Sequence, residues 1–285
     1  MTINFLDTKE VSEYAQPVSV IIDSRDRDYE RYPEPNEYEV RLPYSLRNVV
    51  RATLISAEIP LSFYVFRNDQ FRTDWTMKLD GLERTITIPD GNYTFDRMAQ
   101  TLTDLWNDVF PEGYNIHVSI DEVTHRTHIR ADKQGGIKPF SFDTNDVKTE
   151  NETGWGLPYY LGFDRDRVYE SDESGTIESK RPAVLFPETY LLMDIEGLNF
   201  VHESGPYGMT NARRTFAKIP TTLGDPFAYV LWDKPITTNV VQPPIPELQR
   251  LRVRFRFHDG TPVRFHGIDH SFTLEIWCTP DLRAT

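Results

Sequence analysis

Strict alternation of apolar and cationic side chains marks the sequence LRVRFRFH at residues 251–258. The apolar set falls on one side and the basic set on the other: Leu251, Val253, Phe255 and Phe257 against Arg252, Arg254, Arg256 and His258. Successive side chains of a β-strand point to opposite faces of its sheet, so this pattern predicts a half-buried strand. A turn sequence at 258–262 and renewed alternation at 272–277 predict that the following part of the chain is antiparallel sheet.

Short strands are also predicted over much of the rest of the chain. The sequence contains twenty prolines, and a proline inside a helix removes a hydrogen bond and clashes with the preceding turn, so few long helices are expected. The predicted strands lie at 18–22, 38–42, 49–59, 75–79, 85–88, 189–195, 213–219, 227–232 and 263–265.

One segment has helical spacing instead. Phe95, Met98, Leu102, Leu105, Trp106 and Val109 recur on one face. Thr94 is suited to cap the helix, and Pro111 and Gly113 are suited to end it. A hairpin at 114–120 and 125–131 and a strand at 140–142 follow, and residues 164–180 are interpreted as a polar surface linker.

These elements predict a mainly β chain, built as an antiparallel jelly-roll-type β-sandwich with an inserted small α+β unit. The expected division is an N-terminal arm at 1–16, the sandwich at 17–80 and 181–285, and the inserted unit with its linker at 81–180. A chain of 285 residues is long enough to bury such a core without disulfide or metal staples.

Composition excludes several classes of function. The formal net charge of −13 repels phosphate backbones, so no direct binding of nucleic acid is expected. No apolar run approaches the length of a membrane span, and no leader sequence is evident. With a single cysteine, Cys278, the chain is expected to reside in a reducing compartment.

Candidate catalytic residues are sparse. His258, His266 and His270 are the tightest histidine group, but no Cys or carboxylate at a familiar spacing completes a zinc site. Cys278 has no evident His or Asn partner, and no phosphate-binding loop is present in the sequence. We therefore expect no catalytic, metal-binding or cofactor-binding residues and no enzymatic activity.

The segment after the first strand is densely charged, with Asp23, Arg25, Asp26 and Arg27 in close succession. Its carboxylates suit a hard cation such as Ca²⁺, but the interleaved arginines would repel the ion. We favour ion pairs that pin the end of the strand or reach a neighbouring subunit.

The arginine row of Arg252, Arg254 and Arg256 has two interpretations. It is either the solvated face of a strand, paired with acids on its neighbour, or a docking strip for an acidic surface. We favour the first because the chain has 44 acidic residues. Both charged groups, together with Phe5 in the arm, are candidate subunit-interface residues.

Several stretches resemble virion structural proteins of nucleocytoplasmic large DNA viruses, notably those of algae and amoebae. The most specific stretch is IDSRDR at 22–27, and it continues through Tyr32-Pro33, Asn36-Glu37-Tyr38 and LISAEIP at 54–60. PDGNYT at 89–94, LGF at 161–163 and GIDHSFTLEI at 267–276 also fit.

The resemblance implies a non-enzymatic component of an icosahedral capsid, either a penton subunit or a minor capsid protein. Its implied partners are the major capsid protein, neighbouring minor capsid proteins and further copies of itself, with a pentamer as one form. The implied location is the virion, after synthesis in the cytoplasm of the host cell. The arm at 1–16 is expected to contact another chain.

Two other functions stay open at this point. A carbohydrate- or receptor-binding β-sandwich module on the virion surface would use exposed aromatics such as Trp75, Trp155, Tyr159 and Tyr160. A metal-dependent oxygenase on a jelly-roll scaffold would need two histidines and a carboxylate.

Overall fold

The structure is a computed structural model that describes residues 15–70, 73–144, 156–203, 213–221, 229–232 and 237–280. It has the mainly β, jelly-roll-like sandwich fold with a small helical insertion that the sequence predicts. The chain divides into two compact units. The first combines Met1–Phe63 with Glu188–Thr285, and the second is Tyr64–Pro187.

The described residues contain the following strands. In chain order they are β1 (Gln16–Asp23), β2 (Glu37–Pro60), β3 (Asp74–Leu79), β4 (Leu82–Thr87), β5 (Tyr114–Ile120), β6 (Thr127–Lys133), β7 (Gly136–Ile137), β8 (Phe140–Asp143), β9 (Val168–Glu170), β10 (Thr176–Glu178), β11 (Tyr190–Ile195), β12 (Val201–His202), β13 (Arg214–Thr215), β14 (Ala217–Pro220), β15 (Tyr229–Trp232), β16 (Thr237–Arg256) and β17 (Ser271–Cys278). The helices are α1 (Phe95–Val109) and the short α2 (Leu157–Tyr160), and Ser24–Asp26 and Asn68–Gln70 form 3₁₀ turns.

The first unit is built on a seven-stranded antiparallel sheet in the order β1-β17-β2-β16-β11-β14, with β15 pairing to β2. β1 lies at one end of this order and pairs with β17 over its whole length, from Gln16 opposite Cys278 to Asp23 opposite Ser271. On its other side, β17 pairs with β2, but only with the second half of that strand, between Val49 and Glu58. β16 follows both halves of β2.

β2 is one continuous strand of 24 residues, whereas the sequence predicted separate strands at 38–42 and 49–59. Pro43 and its neighbours lie where the pairing with β16 is irregular, between Leu248 and Arg250. A bulge tolerates proline because no ladder hydrogen bond is lost there. Asn48 adopts a left-handed backbone, with φ of 51°, and β2 continues through it.

The core of the first unit follows the predicted alternation. Leu251, Val253 and Phe255 are fully buried, as are Phe272 and Leu274 of β17. The strand predicted at 263–265 is not present, and the neighbouring Pro262 makes only a single bridge, to Arg256.

The second unit has two antiparallel sheets, one containing β10-β6-β5 with β7 and one in the order β4-β3-β8-β9. α1 spans the predicted residues, and the Thr94 hydroxyl accepts a hydrogen bond from the Arg97 backbone N–H. α1 is held to β5 by side-chain bonds, since the Asn107 amide donates to the Ile116 carbonyl and accepts from its N–H. Neither described helix has the length and apolar run that crossing a membrane requires.

The unit boundaries differ from the expected positions at 81 and 180. β3 belongs to the second unit because it pairs with β4 and β8, so that unit begins at Tyr64. The segment expected to be a linker also contributes strands. β9 pairs with β8 and β10 pairs with β6, which buries Tyr169 and Ile177. Local sequence did not reveal these strands because each has only three residues.

Candidate subunit-interface surface

The charged turn after β1 begins with a local ion pair. The Arg25 guanidinium donates from Nε to Asp23 Oδ1 over 2.9 Å and from Nη2 to Oδ2 over 2.5 Å. These hydrogen bonds lower the pKa of Asp23. The Arg25 side chain is 71% exposed, so the pair lies at the surface and contributes little to stability. Asp26 is exposed next to it.

Arg27 points the other way, into the first unit, with a side chain that is only 2% exposed. Its Nη1 donates to Asp269 Oδ1 over 2.5 Å and to the Ser24 carbonyl over 2.8 Å. Nε donates to the carbonyl of Tyr32 and Nη2 to that of Pro33. A planar guanidinium presents its donors in a fixed fork, so one side chain organises the whole turn.

Ser24 completes the attachment. Its hydroxyl donates to Asp269 Oδ1 over 2.7 Å and accepts from the His270 backbone N–H over 3.0 Å. The Ser24 N–H donates to the His270 carbonyl. We call Ser24, Arg27, Asp269 and His270 the loop clamp. It joins residues 22–27 to residues 267–276, although the two stretches are far apart in sequence.

His270 is buried like Ser24 and Arg27, with 3% of its surface exposed. Its Nε2 lies 2.9 Å from the Pro35 carbonyl, and its ring lies 5.5 Å from Tyr38 and 4.6 Å from Phe255 between ring centroids. Burial lowers the pKa of His270 to about 4, so the ring is neutral at pH 7. Within the described residues, no three His, Cys, Asp or Glu side chains are grouped to hold a metal ion.

The arginine row divides between surface and interior. Arg252 is 51% exposed and donates to Glu37 Oε1 across the strand pair over 2.6 Å. Arg254, the next member, is half-buried. Arg252 therefore fits the interpretation of a solvated face paired with acids on the neighbouring strand.

Arg256 is buried, which the alternation did not predict. Its Nε donates to Asp194 Oδ2 over 2.7 Å, and its Nη1 donates to Glu203 Oε2 over 3.0 Å. Burial by itself would lower the pKa of Arg256, but the hydrogen bonds to Glu203 and Asp194 outweigh it and raise the pKa. Both acids lie far from Arg256 in sequence, so no local signal could have identified them.

β1 leaves one edge of the sheet open. It pairs with β17 on one side, and no described strand pairs with its other side. Pro17 lies near one end of this edge and Asp23 lies at the other, while residues 18–22, with the sequence VSVII, carry no charge. Ile21 is 75% exposed. We call residues 18–22 the free edge.

A cleft of about 530 Å³ lies beside residues 20–22 of the free edge. One wall is formed by consecutive residues 20–23 of β1 and another by consecutive residues 39–43 of β2, while Asp26, Asp28 and Arg31 of the turn also line it. Consecutive residues of a strand face alternate sides, so a cleft lined by all of them borders the strand's edge. The first half of β2 also has a side without a described partner, because β17 begins its pairing only at Val49. We call this the edge cleft.

The remaining candidate residues lie in different surroundings. Trp75 and Tyr160, expected as exposed stacking platforms, are buried in the core of the second unit, and Tyr159 is half-buried beneath the Arg181 guanidinium. Cys278 is half-buried and forms no disulfide. Trp155, Phe5 and the arm residues 1–14 lie outside the described residues, and Gln16 is already part of β1.

A family model described as "Family of unknown function (DUF5901)" matches residues 1–172. No curated protein matches the sequence. The crystal structure of selenomethionine-labelled penton protein from mavirus is similar over 92% of this chain and 99% of that chain, with a TM-score of 0.46 and 12% sequence identity.

Proposed function

We propose that this chain, which belongs to the family of unknown function DUF5901, is a non-enzymatic structural component of an icosahedral virus capsid. It acts through contacts between subunits, as a penton subunit or a minor capsid protein. Its partners are further copies of itself, the major capsid protein and neighbouring minor capsid proteins, and its place of action is the virion.

The observation that carries this proposal is the free edge. Strand edges that stay in water are normally blunted by charge, proline or a bulge, because an unblunted edge pairs with strands of other chains. Here five residues without charge or proline lie between Pro17 and Asp23, and Ile21 among them is 75% exposed. In a subunit that remains bound to its neighbours, another chain covers such an edge permanently.

The loop clamp supports the same function. It fixes the turn that borders the free edge through a buried guanidinium and a buried imidazole, so the edge is presented on a rigid frame. A preformed surface loses less conformational entropy when it binds than a mobile one. The clamp is made from the two stretches, 22–27 and 267–276, on which the resemblance to virion proteins partly rests.

The proposal is tested on virus particles purified from cells that make this chain. The particles are washed in high salt, and the chain is quantified by mass spectrometry relative to the major capsid protein. We expect a fixed stoichiometry that washing does not change. Cryo-electron microscopy of the same particles then distinguishes a position at the fivefold vertices from one beneath the facets. Loss of the chain on washing would overturn the proposal.

A further inference from the structure

We infer that the edge cleft receives residues 2–6 of a second copy of this chain, which add to the free edge as a β-strand. The inference rests on the proposed function and specifies how two subunits hold each other. In this arrangement, Phe5 of one copy lies beside Ile21 of the next.

The shape of the edge cleft favours an extended peptide. One wall is formed by residues 20–23 of β1 and another by residues 39–43 of β2, so extended backbone borders the cleft on two sides. Added strands bind mainly through such main-chain hydrogen bonds, with alternate side chains giving specificity. The free edge is rich in β-branched residues, which favour strand pairing.

Charge restricts which segment can occupy the cleft. Its lining contains Asp23, Asp26, Asp28 and Glu39 against two arginines, Arg31 and Arg41. An acidic segment would be repelled there. Acidic residues are frequent in this chain, which carries 44 of them, so the absence of acids distinguishes a segment. Residues 2–6, with the sequence TINFL, contain no charge and no proline, and Ile3 and Phe5 alternate as in a strand. This segment therefore combines strand-forming character with the absence of acids.

The short connection between residues 2–6 and β1 favours residues 2–6 of a second copy, over those of the same chain, as the occupant of the edge cleft. A tight hairpin that placed residues 2–6 beside the free edge of their own β1 would turn near residue 12. Val11-Ser12-Glu13 contains no Gly, Asn or Asp, the residues on which a two-residue hairpin turn depends.

Disulfide trapping between two full-length variants tests the inference. Both carry Cys278→Ser, so that only the introduced thiols react. One variant carries Phe5→Cys and the other Ile21→Cys, and the two are mixed and oxidised before a non-reducing gel. The matched control replaces Ile21→Cys with Val123→Cys, since Val123 is 90% exposed in a turn of the second unit.

We expect the yield of covalent dimer from the Phe5→Cys and Ile21→Cys variants to exceed the yield from the control pair about tenfold or more. The reason is that binding raises the effective concentration of the two thiols. Equal yields would overturn the inference. A single chain carrying both Phe5→Cys and Ile21→Cys gives a second measurement. Crosslinks between chains support the inference, whereas crosslinks only within a chain at every protein concentration would contradict it.

Sedimentation of full-length Phe5→Asp gives an independent measurement. The introduced carboxylate would face the acidic lining of the cleft, so we expect self-association at least tenfold weaker than in the unmodified chain. Thr8→Asp places the same charge outside residues 2–6 and should leave association unchanged. If Phe5→Asp associates normally, the inference fails. The proposed function survives that result when the chain still enters particles, and it fails only when the chain is absent from washed particles.

Discussion

Residues 24–27, which supply Ser24 and Arg27 to the loop clamp, follow the free edge directly in sequence but have the opposite relation to solvent. The clamp segment is densely charged, yet its Arg27 side chain is 2% exposed and its donors are used within the chain. The free edge contains only small or apolar side chains, yet Ile21 is 75% exposed. The density of charge in a sequence therefore does not tell which residues are available to a partner. Availability depends on which hydrogen bonds and strand pairings the rest of the fold satisfies.

The largest expected effect concerns the arginine row, which shows the same contrast within one strand. Arg256→Ala leaves Asp194 and Glu203 as largely buried carboxylates without their cation, so we expect a loss of about 3–5 kcal/mol in the free energy of unfolding. Urea unfolding of the full chain measures this. Arg252→Ala is the matched control, with an expected loss within about 1 kcal/mol because Arg252 is exposed. If the two variants lost the same free energy of unfolding, burial would not distinguish the contribution of Arg256 from that of Arg252.

The second prediction addresses the loop clamp directly. Arg27→Ala removes the donors to Asp269 and to the backbone carbonyls of Ser24, Tyr32 and Pro33. We expect a loss of about 2–4 kcal/mol, less than for a fully buried pair because Asp269 is partly exposed. Arg25→Ala, in the same turn but exposed, should leave the urea midpoint unchanged. If Arg25→Ala lowered the urea midpoint and Arg27→Ala did not, Arg25 and not Arg27 would be the arginine that stabilises the turn.

The third prediction is a pH dependence of the loop clamp. The pKa of His270 falls from 6.5 to about 4 on folding, so the unfolded chain binds the proton first as the pH decreases. The contribution of His270 to stability is complete above pH 6.5 and is lost as the pH falls toward 4, by roughly 3 kcal/mol in total. His270→Leu should remove this contribution.

Subtracting the unfolding free energies of the two proteins at each pH isolates His270, because Asp23, Asp269 and Arg27, which face the ring, are present in both. The difference should be constant above pH 7 and should shrink between pH 6.5 and 4. A difference that stays constant over the whole range would show that His270 does not titrate in this way.

The smallest expected effect on stability concerns the free edge. Ser19→Lys places a charge on an exposed position of β1, so the free energy of unfolding should change by no more than about 0.5 kcal/mol. Self-association should nevertheless weaken, because a lysine on a strand edge opposes pairing with another chain. Val123→Lys adds the same charge at a remote exposed turn and should leave sedimentation unchanged. If both variants associate alike, the edge is not a contact surface.

Much of the fold could be predicted from sequence because its signals are local. The helix at 95–109 has its own cap and its own apolar face, and the strand at 251–257 has its own alternation, so neither required knowledge of a partner. The continuity of β2 could not be predicted. It depends on pairing with β16, whose residues lie far away in sequence. The extra residues at the irregularity that accommodates Pro43 belong to β2 itself, between Arg41 and Leu46.

The candidate surface was predicted less completely for the same reason. The pair of Asp23 with Arg25 is formed by neighbours in sequence and matches the interpretation of local ion pairs. The partners of Arg27 and Arg256 come from distant segments, so sequence spacing could not assign them. Ile21 lies in an apolar run that is typical of a buried strand, and only the order of the described strands shows that β1 lies at the end of their sheet.

The pairing of β2 also has a consequence for biosynthesis. Its strand partners β15, β16 and β17 all begin after residue 228, whereas β2 ends at Pro60. A nascent polypeptide therefore emerges from the ribosome with β2 unpaired, and the second unit can finish folding before that pairing starts. Pairing across such separations is slow, and unpaired strands aggregate. We expect the newly made protein to depend on chaperones until translation reaches β17.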